Sequence, residues 1–227
     1  MIHKVYSVIF NKCILYCNII SNLNRNIIII DNDNATVTVD NLNVTENDGV
    51  ATISLKLSDN VSSPVTVGFS ILDQAAENGS GSDYVALSKI ITFPAMTTLV
   101  EDNITINNDN IIEDNETFFV RLDNSSNPNV FVGSQAVVTI NNDDNATVTV
   151  GSFSVDEDTG VANIIFSLSN NVSTDFQFTY STINNTADNA SDFQLINRTL
   201  TFPAMTSTVS DDISITPDTI VEDNESF

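Results

Sequence analysis

The chain has 227 residues, enough for one large domain or two of roughly 100 residues each. A hydrophobic content of 41% can fill a core and excludes wholesale disorder. With 30 acidic residues against 7 basic ones and a net charge of −23, the chain repels phosphate backbones. Nucleic acid is thereby excluded as a partner, and cations are favoured. Two cysteines are too few to staple a chain of this size.

The charge is unevenly placed. Residues 1–30 contain no Asp or Glu and hold Lys4, Lys12 and Arg25. The remaining residues carry all 30 acids and only Lys56, Lys89, Arg121 and Arg198, a net of −26. A compositional boundary therefore falls near residue 30. Residues 1–26 are apolar, but Asn11 and Lys12 interrupt them, leaving a run shorter than the ~20 residues that span a bilayer. This segment reads either as a weak signal or anchor, or as a non-native start on a piece of a longer protein. The second reading is preferred. Cys13 and Cys17 have no third or fourth ligand nearby, so no zinc site is expected.

From residue 34 the chain repeats itself. NATVTV at 34–39 recurs at 145–150, and VTENDGVATISLKLSDNVS at 44–62 returns as VDEDTGVANIIFSLSNNVS at 155–173. After a two-residue deletion SDY (82–84) pairs with SDF (191–193), and TFPAMTT (92–98) with TFPAMTS (201–207). DNIIEDNETF (109–118) pairs with DTIVEDNESF (218–227). A period of about 110 residues is a whole domain in tandem, not a solenoid unit. Repeat one is placed at 34–144 and repeat two at 145–227, the latter incomplete at its C-terminal side. Residues 27–33 align with the end of repeat one and read as the last strand and linker of a preceding repeat.

Within a repeat the hydrophobic period is two. Ile53, Leu55 and Leu57 alternate with polar residues, as do Val65, Val67, Phe69 and Ile71, and then Phe118, Val120 and Leu122. Further short runs lie at 36–39, 90–93, 103–106 and 136–140, separated by turns rich in Asn, Asp, Gly and Ser. About seven strands per repeat, each with one apolar face, predict an all-β fold of tandem two-sheet sandwiches.

The acids gather between these strands. In repeat one they are Glu46 in VTENDG, Asp83, then Asp109, Glu113, Asp114 and Glu116 before the strand at 117–122, and Asp143 and Asp144 after the last strand. If these loops share one end of the sandwich, at least seven carboxylates converge. Two carboxylates 4 Å apart repel by ~1 kcal/mol in bulk water and ~4 kcal/mol at an effective dielectric of 20. A hard cation with oxygen ligands relieves this, and Ca2+ accepts 6–8 such oxygens in flexible geometry. Zinc, copper and iron prefer His or Cys, and the single His is His3. The acids recur in repeat two as Glu157, Asp192, Asp218, Glu222 and Glu225.

Together, V-x-E-x-x-G, SDY or SDF, T-F-P-A and D-x-I-x-E-D-x-E-x-F, then a strand and a run of Asn and Asp, resemble the Calx-beta domain. The resemblance implies an immunoglobulin-like seven-stranded sandwich with calcium bound at one end. It implies Glu46, Asp83, Asp109, Glu113 and Glu116 as carboxylate ligands in repeat one, with the Ile111 carbonyl beside them and Asp143 and Asp144 closing the site. Asn108 and Asn142 stand where strongly binding relatives carry Asp, which implies fewer or weaker ions. In repeat two it implies Glu157, Asp192, Asp218, Ile220, Glu222 and Glu225, with Pro217 in place of an acid. Asp31 and Asp33 would close the site of a preceding repeat.

No EF-hand loop, P-loop, GxGxxG or GxSxG is present, and the lone His lies outside the repeats, so catalysis is not expected. The expectation is a calcium-binding structural or adhesive repeat of a large secreted or cell-surface protein. Its partners would be calcium ions, neighbouring repeats and other surface proteins or glycans. The alternatives are a calcium-independent spacer and a calcium-sensing module attached to a membrane protein. A cadherin-like domain, suggested by DNDNA, lacks the internal Asp-Arg-Glu and the Pro after the linker.

Overall fold

The structure is a computed structural model that describes residues 28–76 and 83–227, together with the backbone of two strands at 6–10 and 13–17. Those two strands, β1 (Tyr6–Phe10) and β2 (Cys13–Cys17), form an antiparallel hairpin with Phe10 opposite Cys13. Cys13 and Cys17 thus lie along an extended segment, their α-carbons roughly 13 Å apart at 3.3 Å per residue. The rest of the expectation for residues 1–26, and Ile27, lies outside the described residues. Ile28–Ile30 are exposed and form no strand among the described residues; the strand expected at 27–30 was assigned to a preceding repeat, with which it would pair. Among the described residues no helix is long and apolar enough to cross a membrane.

Repeat one is a two-sheet sandwich. Its strands are β3 (Ala35–Val39), β4 (Leu42–Thr45), β5 (Val50–Leu57), β6 (Val65–Asp73), β7 (Ser88–Phe93), β8 (Leu99–Thr105), β9 (Glu116–Ser125), β10 (Val130–Val132) and β11 (Ala136–Asn141). One sheet runs β10-β3-β5-β8 and the other β4-β11-β9-β6-β7. The seven expected strands are all here, in nine segments. The first strand breaks at Asp40–Asn41, so β3 pairs in parallel with β10 while β4 crosses to pair in parallel with β11. The alternating positions face inward: Ala51, Ile53, Leu55 and Leu57 from one sheet meet Val65, Val67, Phe69, Phe118 and Val120 from the other. That core holds 25 buried residues and forms the larger part of the hydrophobic stabilisation.

Repeat two builds the same sandwich in part. Its strands are β12 (Val148–Val150), β13 (Val161–Leu168), β14 (Phe176–Ser181), β15 (Asn197–Phe202) and β16 (Thr208–Ser214). They form a three-stranded sheet, β12-β13-β16, and a hairpin, β14-β15. In repeat one β6 lies between β7 and β9, whereas its counterpart β14 pairs only with β15. Phe176 is 38% exposed, although the matching Val65, opposite Phe93 as Phe176 is opposite Phe202, is buried. Only seven residues form the second buried cluster. An unpaired edge beside a thin core opens readily. A broad-specificity protease is therefore expected to cut between 170 and 202 first and to leave 34–144 as the persistent fragment, as mass spectrometry of a digestion time course would show.

Candidate metal centre

The register of the five-stranded sheet brings the acidic loops together. Asn141 of β11 sits opposite Thr45 of β4, and Ile140 sits opposite Glu116 of β9. The end of β4, the start of β9 and the end of β11 are thus level. Glu46 follows β4, Glu116 begins β9, and Asn142–Asp144 follow β11. From the other sheet, β8 continues into Ile106, whose N–H donates to the Gly49 carbonyl at 3.1 Å. The N–H of Asn107 donates to the Asp83 carbonyl at 2.9 Å, which draws the 83–84 loop to the same end. Tyr84 anchors that loop by stacking on Phe118 at 4.3 Å and hydrogen-bonding Asp73.

Two carboxylate triads result. Glu46, Asp109 and Asp144 each offer an oxygen within 4.8 Å of the others, and so do Asp83, Glu113 and Glu116. Glu46 is only 6% exposed, although it is charged in water. Burial, then the charges of Asp109, Asp144, Glu113 and Asp143, push its carboxyl up to about 7. Burial and Asp83, Asp109 and Asp144 raise Glu113, and burial with Asp143 and Asp109 raises Asp144. The four basic side chains of residues 31–227 are engaged elsewhere. Lys56 pairs with Asp40, Lys89 with Asp102, Arg121 with Asp123 and Arg198 with Asp211, all outside the triads.

The chemistry of this donor set fits a hard cation. Asp144 Oδ2 is buried and accepts no hydrogen bond, which is costly for a carboxylate oxygen unless a cation takes that place. Six carboxylates with no nitrogen or sulfur donor match calcium in preference to zinc or copper.

Local structure explains the motifs. Thr45 N–H donates to Asp48 Oδ2 at 2.8 Å, starting a 3-10 turn at Glu46–Asp48. Gly49 closes it with φ +68 and donates its N–H to the Glu46 carbonyl at 3.1 Å. This is why a glycine follows the glutamate by three positions. A side chain at that φ costs about 1–2 kcal/mol. Gly49→Ala is expected to destabilise the repeat by that amount and to weaken calcium affinity by turning Glu46 out of place, measured by denaturant melts with and without calcium.

The remaining expected positions fall around the triads. Asp109 Oδ1 accepts the Ile111 N–H at 2.7 Å, an Asx turn that bends the loop. Asn142 Oδ1 accepts the Glu113 N–H at 3.3 Å, and its amide nitrogen donates to the Asp144 carbonyl at 3.4 Å, so Asn142 ties the two triads together. Asn108 and Asp143 are exposed and belong to neither triad.

In repeat two a third triad forms from Asp192, Glu222 and Glu225. The supporting bonds are those of repeat one: Ile215 N–H to the Gly160 carbonyl at 3.1 Å and Thr216 N–H to the Asp192 carbonyl at 2.8 Å. Phe193 stacks on Phe227 at 4.2 Å, as Tyr84 does on Phe118. Glu157 and Asp218 do not join the triad; Glu157 Oε1 accepts the Asp218 N–H at 2.6 Å. Ile220 is 67% exposed. Glu157 is exposed where Glu46 is buried, because residues 151–156 form no strand like β4 and no β11-like strand holds them. Sequence reasoning missed Asp188, whose charge helps raise Glu225 and whose N–H donates to Asp192 Oδ2 at 2.6 Å.

The family model described as Calx-beta domain matches residues 31–145 and again 141–227. Among solved structures, the chain is similar to CBD12 from CALX1.2, with 24% identity over 82% of this chain and 77% of that one, at a TM-score of 0.45. It is similar to the apo-form Calx CBD1 domain, with 24% identity over 49% of this chain and 100% of that one, at 0.46. It is also similar to the calcium binding domain CBD12 of CALX1.1, with 23% identity over 80% and 75% of the two chains, at 0.44. No curated protein matches the sequence.

Proposed function

The chain belongs to the Calx-beta domain family, in two tandem copies, and from that premise we propose that it binds calcium through the acidic loop ends of its repeats. Glu46, Asp109 and Asp144 would hold one ion and Asp83, Glu113 and Glu116 another, with Asp192, Glu222 and Glu225 serving repeat two. A bound cation supplies the positive charge that these crowded carboxylates lack. The observation that carries this reading is the pair of triads in repeat one, five of whose six carboxylates are half-buried or buried, with Asp144 Oδ2 buried and accepting no hydrogen bond. A role as a structural repeat follows from the position of the loop. Ile112, between the two triads in sequence, also bonds to repeat two, so ordering the loop by calcium stiffens the tandem. We place the protein among secreted or surface-attached chains with adhesive work. That reading rests on its acidity, its scarcity of lysine and an affinity expected in the ~10⁻⁴–10⁻³ M range of extracellular modules.

Titration calorimetry of the chain with Ca2+, using Mg2+ as control, tests the binding. Saturable calcium binding in that range, with little response to magnesium, supports the proposal. No binding up to several millimolar makes the repeats calcium-independent spacers.

A further inference from the structure

The two triads of repeat one meet at a neutral, half-buried side chain, that of Asn142. It directly follows β11, whose last residue, Asn141, lies opposite Thr45 and donates from its amide nitrogen to the Val44 carbonyl at 3.0 Å. The sheet thus fixes the base of Asn142. Three hydrogen bonds then reach into both ligand sets. The main-chain N–H of Asn142 donates to Asn115 Oδ1 at 3.2 Å, next to Glu116 in sequence. Its Oδ1 accepts the Glu113 N–H at 3.3 Å, and its Nδ2 donates to the Asp144 carbonyl at 3.4 Å. Glu113 and Glu116 belong to one triad and Asp144 to the other.

This side chain is committed before any ion arrives. An asparagine offers an acceptor and a donor side by side, and here both are used on main-chain groups. A carboxylate in its place could still accept from Glu113, but it would set a second oxygen against the Asp144 carbonyl with no proton between them. A serine hydroxyl is too short to span both groups. Asp144 Oδ2 is buried and accepts no hydrogen bond, so the aim of that oxygen rests on the main chain that Asn142 holds. Groups that orient a metal ligand without touching the metal typically change affinity 10–100-fold when removed.

We propose that Asn142 is a positioning residue that couples the two ion sites, its amide locking Glu113 of one triad to Asp144 of the other, and is not itself a ligand. An ion drawn to either triad orders the shared brace, so the next ion meets ligands already in place. The coupling acts equally in both directions. This inference rests on the calcium reading above and goes beyond it by naming what joins the sites.

Amide NMR spectra of the full chain along a calcium titration follow each site by its own signals. Glu116 and Asp144 report the two triads of repeat one, and Asp192 reports repeat two as an internal reference. In the parent, the Glu116 and Asp144 signals should shift with one shared midpoint. Asn142→Asp and Asn142→Ser should each separate these midpoints by about fivefold or more, the low end of a typical coupling, and leave the Asp192 midpoint in place. A merely structural effect would weaken both sites of repeat one equally and keep their midpoints together. A ligand role would make the two substitutions act in opposite senses, Asn142→Asp tightening binding and Asn142→Ser weakening it. In EDTA, Asn142→Ser should already move the Glu113 amide signal, because the brace exists without the ion. Separate midpoints in the parent, shared midpoints in both variants, opposite effects of the two substitutions, or an unmoved Glu113 signal in EDTA would overturn this inference alone. A parent that binds no calcium would overturn it together with the reading on which it rests.

Discussion

Replacing Glu113 and Glu116 together by Gln is expected to remove most of the calcium-induced stabilisation of repeat one while making the calcium-free protein more stable. Both residues belong to the triad with Asp83. Carboxylates 4.8 Å apart repel by about 3.5 kcal/mol at an effective dielectric of 20 and by about 0.9 kcal/mol in bulk water. Relief of that repulsion should add on the order of 1 kcal/mol to the calcium-free form, since these side chains are half-buried. The same change leaves one carboxylate where an ion needs several. At a calcium concentration of 100 Kd, a site that binds only the folded state contributes ~2.7 kcal/mol. Loss of that contribution appears as a calcium shift reduced by several degrees. Melts of the variant and the parent, each with EDTA and with calcium, measure both signs. A spacer would show the first effect and not the second.

Glu46→Gln is expected to flatten the pH dependence of the calcium-free protein. In the folded chain, burial and the surrounding acids hold the Glu46 proton up to about 7, against an ordinary value of 4.5. The folded state therefore binds this proton more tightly than the unfolded state. The stability it contributes is fully present below about 4.5 and is lost as pH rises through about 7. A difference of that size corresponds to as much as about 3 kcal/mol. The raised values of Glu113 and Asp144 act in the same direction. Calcium-free protein should thus be less stable above neutrality than in mild acid, and the glutamine variant should show a smaller fall. Calcium reverses the trend, because it binds the ionised carboxylates and competes with protons. Denaturant melts across that pH window, in EDTA and in calcium, give the comparison.

Much of the fold was legible because burial writes a period of two into the strands. Val50–Leu57 and Val65–Asp73 alternate cleanly, and both form as expected. The strand expected at 103–106 begins instead at Leu99: Glu101 lies on its exposed face, and Asp102, on the opposite face, is paired with Lys89. The break at Asp40–Asn41 was not legible either. It reads as a turn between strands, and only the parallel pairing with β10 and β11 shows that one strand serves both sheets.

For the site, the repeated acids named the correct loops but gave a flat set of ligands. Its division into two triads depends on β4 and β11 ending level with the start of β9, which no local pattern records. Asn142 was expected beside the ion and makes bonds that brace Glu113 and Asp144. Ile112 was overlooked because an apolar side chain in an acidic loop looks like filler. Its recurrence as Val221, also directly before a glutamate of a triad, was the available signal.

The most direct measurement is a thermal melt of the chain with EDTA and across a calcium titration, with magnesium as control. The account predicts a midpoint that climbs by several degrees with calcium, rises little with magnesium, and loses its calcium response in the Glu113→Gln, Glu116→Gln variant. A midpoint that stays fixed up to several millimolar calcium would contradict it, leaving a Calx-beta sandwich whose acids bind no ion.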